Sequence, residues 1–396
     1  MIRLVALVAA LLFSAGAAQA AAHLERVVVV MRHGVRPPTQ ANADLAKYAA
    51  QPWPEWPVAP GELTPHGGET VRLMGETLRA AYVADRLLPA HGCAPSGQVT
   101  DWADGTDQRT RRTGEIAAEA LQPGCGLKTG WAAPQPRDPI FGGTDAGGCK
   151  VDAAHAFALA APPPPAERRR LEAATARLQA ILAPNACQGG PGTCFANAPA
   201  DRGFFPATAG LAEDILLEYA DDKPMSEVGW GRASPADIAA VMPLHEAAFA
   251  RIRDNVYASA RRGAPMTRVI LAALAGERVS GGPQSGPGLK LLLLAGHDTN
   301  LVLMASTFGL HWTLPGEPDS TAPSTALAFE LWSDHGRKYV RPVLYYETLD
   351  QLRTLKPALA KTLPLRFDGC DSGPMGSCPV AELKAHVEAV IPADCA

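Results

Sequence analysis

The stretch VVVVMRHGVRPP, residues 27–38, joins an aliphatic run directly to a histidine between two arginines. A second continuous apolar run, LKLLLLAG (289–296), ends in a similar way, on His297 and Asp298. Short apolar runs of this kind are typical of strands buried on both faces, as in a parallel sheet covered by helices. Because ligands bind outside the carboxyl ends of such strands, we expect these polar residues to meet at one edge of a sheet.

Strand and helix patterns alternate around the two runs. GQVTDWA (97–103) is a weaker strand candidate that precedes a predicted helix over 109–121. Another helix is predicted over 69–88, where apolar residues recur along one face. Two late segments, 325–333 and 339–347, have the composition of further strands. The alternation predicts an α/β fold with a mostly parallel sheet flanked by helices.

The middle of the chain lacks strand signals. Its apolar residues follow helical spacing in three segments, 166–182, 209–220 and 235–258. Pro243 should kink or split the last of these helices. We therefore predict an α-helical domain inserted into an α/β domain. The predicted boundaries are 21–149 for the first part of the α/β domain, 150–260 for the helical insertion and 261–396 for the second part.

The N-terminus has the pattern of an export signal. Arg3 precedes an apolar run over 4–13, and a small-residue stretch ends in Ala18-Gln19-Ala20. This predicts a signal peptide over residues 1–20, with a buried N-terminal helix as the alternative. The run is too short to span a bilayer. We expect a periplasmic or secreted protein that has no membrane association after signal cleavage.

The eight cysteines all follow the predicted signal. An even number of cysteines in an exported chain indicates disulfides. Cys187 with Cys194, and Cys370 with Cys378, would each close a short loop. Spacing alone leaves four cysteines unpaired, namely Cys93, Cys125, Cys149 and Cys395. A zinc site is the alternative, but it is disfavoured because no two cysteines have the C-x2-4-C spacing.

Composition is ordinary for a globular protein. The 396 residues are 47% hydrophobic and 19% charged, with a formal net charge of −4. Nothing in this balance indicates a nucleic-acid partner. We expect a monomer whose partner is a small-molecule substrate.

The charged residues at the two strand ends indicate an anion site. Arg32 and Arg36 flank His33, and Arg109, at the start of a predicted helix, could join them. A guanidinium group binds phosphate or carboxylate oxygens through two parallel hydrogen bonds and never loses its charge. We therefore expect an anion site without a metal. Positive neighbours disfavour protonation of His33, and its pKa should fall. A neutral imidazole beside a bound phosphate is a nucleophile.

Each of these residues alone has a structural explanation, since a lone histidine is usually structural and His-Asp after a strand can cap a turn. The combination is more specific. RHGVRPP together with GHDTN resembles the histidine acid phosphatases, the exported branch of the phosphoglycerate-mutase-like superfamily. The similarity is greatest to bacterial periplasmic phytases and glucose-1-phosphatases. Further segments that resemble phytases are WPEWPVAPGELTPHGGE (53–69), DQRTRRTGE (107–115), VGWGR (228–232) and GLHWTLPGEPDS (309–320).

The resemblance implies a role for each matching residue. His33 would be the nucleophile that becomes phosphohistidine, and Asp298 would protonate the leaving oxygen. The phosphate-binding residues would be Arg32, Arg36, Arg109 and His297. Thr39 and Glu213 would line the substrate cleft, with Asp214 as the alternative to Glu213. The implied disulfides are Cys93–Cys125, Cys149–Cys395, Cys187–Cys194 and Cys370–Cys378. The implied reaction is phosphomonoester hydrolysis without a cofactor or metal, on substrates such as phytate, sugar phosphates or aryl phosphates.

The sequence departs from the phytase pattern near the cleft. Gln40 stands where these phytases carry a lysine, and His66 stands where they carry an arginine. Loss of positive charge should weaken binding of a polyphosphorylated inositol more than that of a monophosphate. The HDT form of the second motif is nevertheless the phytase-like one. Two other functions stay open as alternatives, a phosphoglycerate-type mutase and a catalytically inactive phosphate-binding protein.

Overall fold

The computed structural model describes residues 22–132, 138–142, 149–159, 163–195 and 206–395. The predicted signal peptide, residues 1–20, lies outside this part of the chain. Among the helices of the described segments, none combines the length and the apolar character needed to cross a bilayer.

The centre of the structure is an eight-stranded sheet. In chain order its strands are β1 (His23–Arg32), β2 (Val99–Ala103), β3 (Thr129–Gly130), β4 (Leu291–Gly296), β5 (Ala326–Asp334), β6 (Arg337–Tyr346), β7 (Lys361–Pro364) and β8 (Cys378–Pro379). Their order across the sheet is β3-β2-β4-β1-β5-β6-β7, and β8 pairs with β6. The strands predicted at both apolar runs, at 97–103 and at the two late segments are confirmed.

The sheet has a parallel half and an antiparallel half. Strands β3, β2, β4 and β1 pair in parallel. Strands β5 to β8 join the other side through antiparallel pairs. Because β6 is antiparallel to β5, which is antiparallel to β1, five of the eight strands run in one direction. The predicted α/β fold with a mostly parallel sheet is confirmed.

The register of the parallel half aligns the two strand ends that carry the motifs. Val27 of β1 is level with Leu291 of β4, and the pairing continues to Arg32 opposite Gly296. The residue that follows each strand, His33 or His297, therefore emerges at the same edge of the sheet.

The described part of the chain contains thirteen α-helices. They are α1 (Asn42–Leu45), α2 (Pro65–Ala84), α3 (Gln108–Leu121), α4 (Pro139–Gly142), α5 (Ala153–Leu159), α6 (Pro165–Leu182), α7 (Pro206–Ala220), α8 (Pro235–Val241), α9 (Pro243–Asp254), α10 (Val256–Ala275), α11 (Asp298–Phe308), α12 (Leu349–Thr354) and α13 (Val380–Val390). The predicted helices are present, and the chain breaks at Pro243 as expected.

Both faces of the sheet are covered, as the continuous apolar runs require. Val27 and Val29 of β1 pack with α2 and α3, whereas Val28 and Val30 pack with α10 and α11 on the opposite face. All four valines are fully buried. This two-sided burial leaves the ends of the strands as the place where polar side chains can gather.

A second apolar core belongs to the helical segment. Helices α6, α7, α8 and α9 contribute most of it, and Trp53 and Leu352 join from outside the segment. Helix α10 spans residue 260, and its Met266 and Ile270 pack in the core of the sheet. The division at 150 and 260 stays a prediction.

Four disulfides connect the eight cysteines, and none of the cysteines is free. The pairs are Cys93–Cys125, Cys149–Cys395, Cys187–Cys194 and Cys370–Cys378. These are the four pairs that the family resemblance implies. The second of them ties the C-terminus to residue 149, across 246 positions of sequence.

Candidate active site

The carboxyl ends of three parallel strands converge on one site. The backbone N–H of His33, after β1, donates to the Gly296 carbonyl at the end of β4 (2.9 Å). Asp104 follows β2, and its N–H donates to Ala295 O of β4 (2.9 Å). Asp298 opens α11 immediately after His297. The sheet therefore places side chains from β1, β2 and β4 at one edge.

The Arg32 guanidinium is fully buried and surrounded by oxygen acceptors. One of its terminal nitrogens, Nη1, donates to Asp319 Oδ2 (2.9 Å) and to Thr321 O (2.5 Å). The other, Nη2, donates to Glu213 Oε1 and lies 3.2 Å from Asp298 Oδ2. A buried guanidinium needs compensating charge, and three carboxylates from different parts of the fold supply it.

Glu213 bridges two arginines. Its second oxygen, Oε2, accepts from Arg36 Nη2 (3.1 Å), while Oε1 accepts from Arg32. Burial by itself raises the pKa of Glu213, but the charges of Arg36 and Arg32 outweigh that effect and lower it. An ionised carboxylate thus occupies donors that could otherwise bind a phosphate.

His33 has the environment of a neutral imidazole. It is buried, and burial together with the charges of Arg109, Arg32 and Arg36 holds its pKa well below the usual range. Its Nδ1 lies 2.8 Å from Gly34 O. Because a carbonyl only accepts, Nδ1 carries the proton and Nε2 keeps a free lone pair.

Glycine is required at position 34 by a close approach to α2. A β-carbon there would lie 2.3 Å from Gly67 O, which no side chain can tolerate. The glycine between His33 and Val35 therefore lets the loop pack directly onto the first turn of α2. This contact explains why glycine follows the histidine in the motif.

His297 is held by a carboxylate on one side and an arginine on the other. Its Nε2 lies 2.8 Å from Asp104 Oδ2, and its Nδ1 lies 3.4 Å from Arg109 Nη2. Arg109 also contacts Asp107 Oδ2 (3.0 Å) and donates to Gly61 O. The rings of His33 and His297 are 5.6 Å apart, edge to face.

Asp298 is ionised in this environment. Burial raises the pKa of its carboxyl, but the charges of Arg32 and Arg36 lower it far more, to well below the ordinary value. The carboxylate lies beside the imidazole that carries the free lone pair. It can therefore accept a proton once a negatively charged ligand offsets the arginines.

Asp104, Asp107 and His297 bring ligand-type atoms within 4.8 Å of one another, a spacing that could suit a metal ion. Arg109 already supplies a cation to this group, because its guanidinium contacts both Asp107 and His297. The arginine occupies Asp107 Oδ2 and His297 Nδ1, and we assign no metal to these residues.

The predicted site residues largely lie together. Arg32, His33, Arg36, Arg109, His297, Asp298 and Glu213 form a connected cluster through the contacts above. Thr39 is exposed and lies beside Gly61, next to Arg109. Asp214 is buried next to Glu213, and burial together with the charge of Glu213 raises its pKa to about 8.

Sequence reasoning missed three carboxylates of this cluster, namely Asp104, Asp107 and Asp319. Asp104 follows a strand directly, as His33 and His297 do, and the same strand-end rule could have found it. Asp319 lies in an irregular segment before β5, and no local pattern marks it. His66 does not stand free at the cleft, because its Nε2 is hydrogen-bonded to Leu352 O of α12 (2.7 Å).

Comparison with known proteins adds relatives of defined activity. The family model described as the histidine phosphatase superfamily (branch 2) matches residues 23–186. Phytase AppA of Escherichia coli is 34% identical over 408 residues, covering 93% of this chain and 93% of the relative. Glucose-1-phosphatase of Salmonella typhimurium is 27% identical over 389 residues, covering 90% of each chain.

A solved structure agrees in fold over the same length. The phytase of Hafnia alvei in complex with myo-inositol hexakis sulphate has a TM-score of 0.84 at 32% identity, with 96% of this chain and 99% of that chain covered. The fold and the relatives define an enzyme that hydrolyses phosphoric monoesters. The chain belongs to the histidine phosphatase superfamily, branch 2.

Proposed function

We propose that the chain is an exported acid phosphatase that works through a phosphohistidine on His33. The proposal rests on the buried, neutral imidazole of His33. Its Nδ1–H donates a hydrogen bond to Gly34 O, which leaves the lone pair of Nε2 free among three arginines. Arg32, Arg36 and Arg109 would bind the phosphoryl oxygens, with His297 as a further donor. No cofactor takes part.

The reaction has two steps. Nε2 of His33 forms a bond to phosphorus while the bond from phosphorus to the leaving oxygen breaks, and Asp298 delivers a proton to that oxygen. Water then attacks the phosphohistidine, the P–N bond breaks, and Asp298 takes the proton of the water. His33 returns to its neutral form, and Asp298 passes its proton to the departing inorganic phosphate, which restores the ionised carboxylate.

The proton that Asp298 delivers must arrive with the substrate. Asp298 is ionised in the free enzyme, since the neighbouring cations lower its pKa. A phosphomonoester has a second pKa near about 6 and carries one proton below that pH. The bound monoanion can pass this proton to Asp298 and onward to the leaving oxygen. Activity should therefore be greatest in acid and fall as the substrate loses its proton.

Glu213 would act as a competing anion, since it occupies Arg32 and Arg36 before phosphate arrives. Thr39 would contact the organic part of the substrate from the exposed loop beside Gly61.

The substrate is a phosphomonoester for which phytate and glucose 1-phosphate are the leading candidates. The relatives include a phytase and a glucose-1-phosphatase, and the Hafnia alvei structure holds an inositol hexasulphate. Gln40 is exposed next to Thr39 and brings no positive charge. This favours a monophosphate over a highly charged inositol phosphate.

Export to the periplasm accounts for the four disulfides, because such bonds persist in oxidising compartments. The signal peptide over 1–20 would direct that export and be removed. The mature protein would act as a monomer.

The test is hydrolysis of phytate, glucose 1-phosphate and p-nitrophenyl phosphate in the presence of a chelator, with trapping of an acid-labile phosphoenzyme. We expect phosphate release from all three and incorporation of phosphate at His33. Isomerisation of a phosphorylated acid without phosphate release would indicate the mutase, and binding without turnover would indicate an inactive phosphate-binding protein. In the variant Gln40→Lys, kcat/KM for phytate should rise relative to glucose 1-phosphate, whereas Gln188→Lys, in a disulfide loop of the helical segment, should not change the ratio.

A further inference from the structure

The turn before β5 holds a serine in a conformation that usually belongs to glycine. Thr325 N–H donates to Ala322 O (3.1 Å) and closes a four-residue turn with Pro323 second and Ser324 third. Ser324 has φ +63°. A proline at the second position and a positive φ at the third position are typical of a type II turn, in which the third residue is ordinarily glycine. A residue with a β-carbon is strained at positive φ, so the presence of serine at this position needs a reason.

This turn contacts the backbone of the proposed nucleophile directly. Ser324 N–H donates to His33 O (3.1 Å), and Arg32 N–H donates to Thr325 O (2.9 Å). On the other side of the same peptide, Gly34 N–H faces Thr113 Oγ1 at 3.4 Å. The peptide that follows His33 is therefore fixed at both its carbonyl and its N–H.

The Ser324 side chain explains why a residue other than glycine is accepted there. Its Oγ lies 2.8 Å from Thr70 Oγ1, and both residues are fully buried. Thr70 Oγ1 also donates to Gly67 O (2.9 Å). Since the single hydroxyl proton of Thr70 serves Gly67, Ser324 donates to Thr70. The result is a hydroxyl chain from the turn to the first turns of α2.

The end of that chain is the segment of α2 on which the His33 loop packs. A β-carbon at Gly67 would lie 2.2 Å from Val35 O, which shows how closely the helix and the loop approach. Val35 O also accepts from the N–H of Thr64, the residue that precedes α2 (3.1 Å). The loop that carries His33 is thus held between the turn and α2, and the two hydroxyls join these two supports.

We propose that Ser324 and Thr70 are positioning residues that fix the His33 loop for attack on phosphorus. Neither side chain touches the substrate. The hydroxyl bond between them offsets the strain of the left-handed turn and keeps Ser324 N–H aimed at His33 O. This inference rests on the proposed role of His33 as nucleophile.

The experiment compares Thr70→Val and Ser324→Ala, which each remove one hydroxyl, with Thr70→Ser, which keeps it. The readout is the rate constant of the pre-steady-state nitrophenol burst, measured together with the inhibition constant of inorganic phosphate. We expect the two hydroxyl-deleting variants to lose about tenfold or more in the burst rate constant, because a small misplacement of a reacting group is costly. The phosphate inhibition constant should not change, since the arginines keep their carboxylate partners. Thr70→Ser should match the wild type.

Thr77→Val is the matched control. Thr77 lies in the same helix and is buried. Its hydroxyl donates to Leu73 O and accepts from Ala360 N–H, away from the His33 loop. It should lower the melting temperature without changing the burst rate constant. Ser324→Gly removes the hydroxyl together with the strain of the left-handed backbone, and its burst rate constant should fall less than that of Ser324→Ala.

Equal burst rate constants for Thr70→Val and Thr77→Val would overturn the proposal, as would a parallel loss of phosphate affinity. Failure of the proposed function would look different. In that case the wild type itself would form no phosphohistidine.

Discussion

Buried carboxyl groups differ in charge between the edge of the sheet and the interior of the protein. At the edge, Glu213, Asp298 and Asp104 have lowered pKa values, because arginine or histidine partners outweigh the effect of burial. In the interior, burial raises the pKa of Asp101 to about 7 and that of Glu347 well above its usual range. Asp298 is partly buried and the other four are buried, so the cationic partners account for most of the difference.

The comparison teaches that pH acts on the two regions in opposite ways. The interior carboxyls are neutral in acid and need no partner there, whereas the edge carboxylates stay ionised and hold the arginines in place. An enzyme that works in acid can therefore keep a charged site on a neutral core.

The largest effect is expected from His33→Ala. The variant removes the buried imidazole that carries the proposed attacking nitrogen, and kcat should fall by at least about 10³-fold. Steady-state hydrolysis of p-nitrophenyl phosphate, with circular dichroism as the fold check, measures this. His311→Ala, an exposed histidine paired with Asp368, is the control and should retain full activity. Retention of a tenth of wild-type kcat in His33→Ala would rule out the nucleophile assignment.

The second effect concerns Asp298, the edge carboxylate that we propose as the proton donor. Asp298→Asn should slow cleavage of glucose 1-phosphate about 10²-fold more than the first step with p-nitrophenyl phosphate, because nitrophenolate departs without a proton. Single-turnover release from the sugar ester and the nitrophenol burst are the two measurements.

Asp319→Asn is the control for Asp298, since Asp319 contacts the same arginine at 2.9 Å. It should slow both esters equally. If Asp298→Asn also slows both first steps by one factor, Asp298 is not the acid, and the role passes to His297 or Glu213.

A smaller effect, on the binding of inorganic phosphate, should distinguish an ionised carboxylate near the arginines from a neutral carboxyl group. Glu213→Gln removes the charge that competes with phosphate for Arg32 and Arg36, and the inhibition constant of inorganic phosphate should fall about five- to tenfold. Glu246 is the control, because burial and nearby Asp319 raise its pKa and it accepts from Ser320 N–H instead of an arginine. Glu246→Gln should leave phosphate inhibition unchanged. A higher inhibition constant in Glu213→Gln would mean that Glu213 orients the arginines for phosphate.

The smallest effect on activity is expected in the interior. The folded pKa of Asp101, about 7, exceeds the unfolded value. The stability that its neutral form contributes is thus complete below about pH 4 and is lost as the pH rises towards 7. Asp101→Asn should reduce this loss by on the order of 2–4 kcal/mol, measured by urea unfolding between pH 4 and 8.

The exposed Asp371, paired with Arg366, is the control for Asp101, and Asp371→Asn should keep the wild-type pH dependence of stability. An unchanged slope in Asp101→Asn would show that the interior carboxyl is already ionised in the folded protein.

Local pattern was sufficient for much of the fold. The apolar runs of β1 and β4 predict buried strands because only a sheet covered on both faces accommodates continuous aliphatic residues. Their polar ends predict one shared site, because parallel strands end at the same edge. The break at Pro243 follows from the missing N–H of proline.

The sequence by itself therefore determined the strands, most helices, the family and the residues that follow the strands. Only the tertiary structure decided the partners of those residues. Asp319 lies 287 residues from Arg32 along the chain, and Glu213 lies 181 residues from it. The left-handed Ser324 meets Thr70 across 254 residues. No sequence period or motif spacing predicts such contacts, because they form where elements distant in the sequence pack together. Only the folded chain determines which carboxyl group contacts a cation and is therefore ionised.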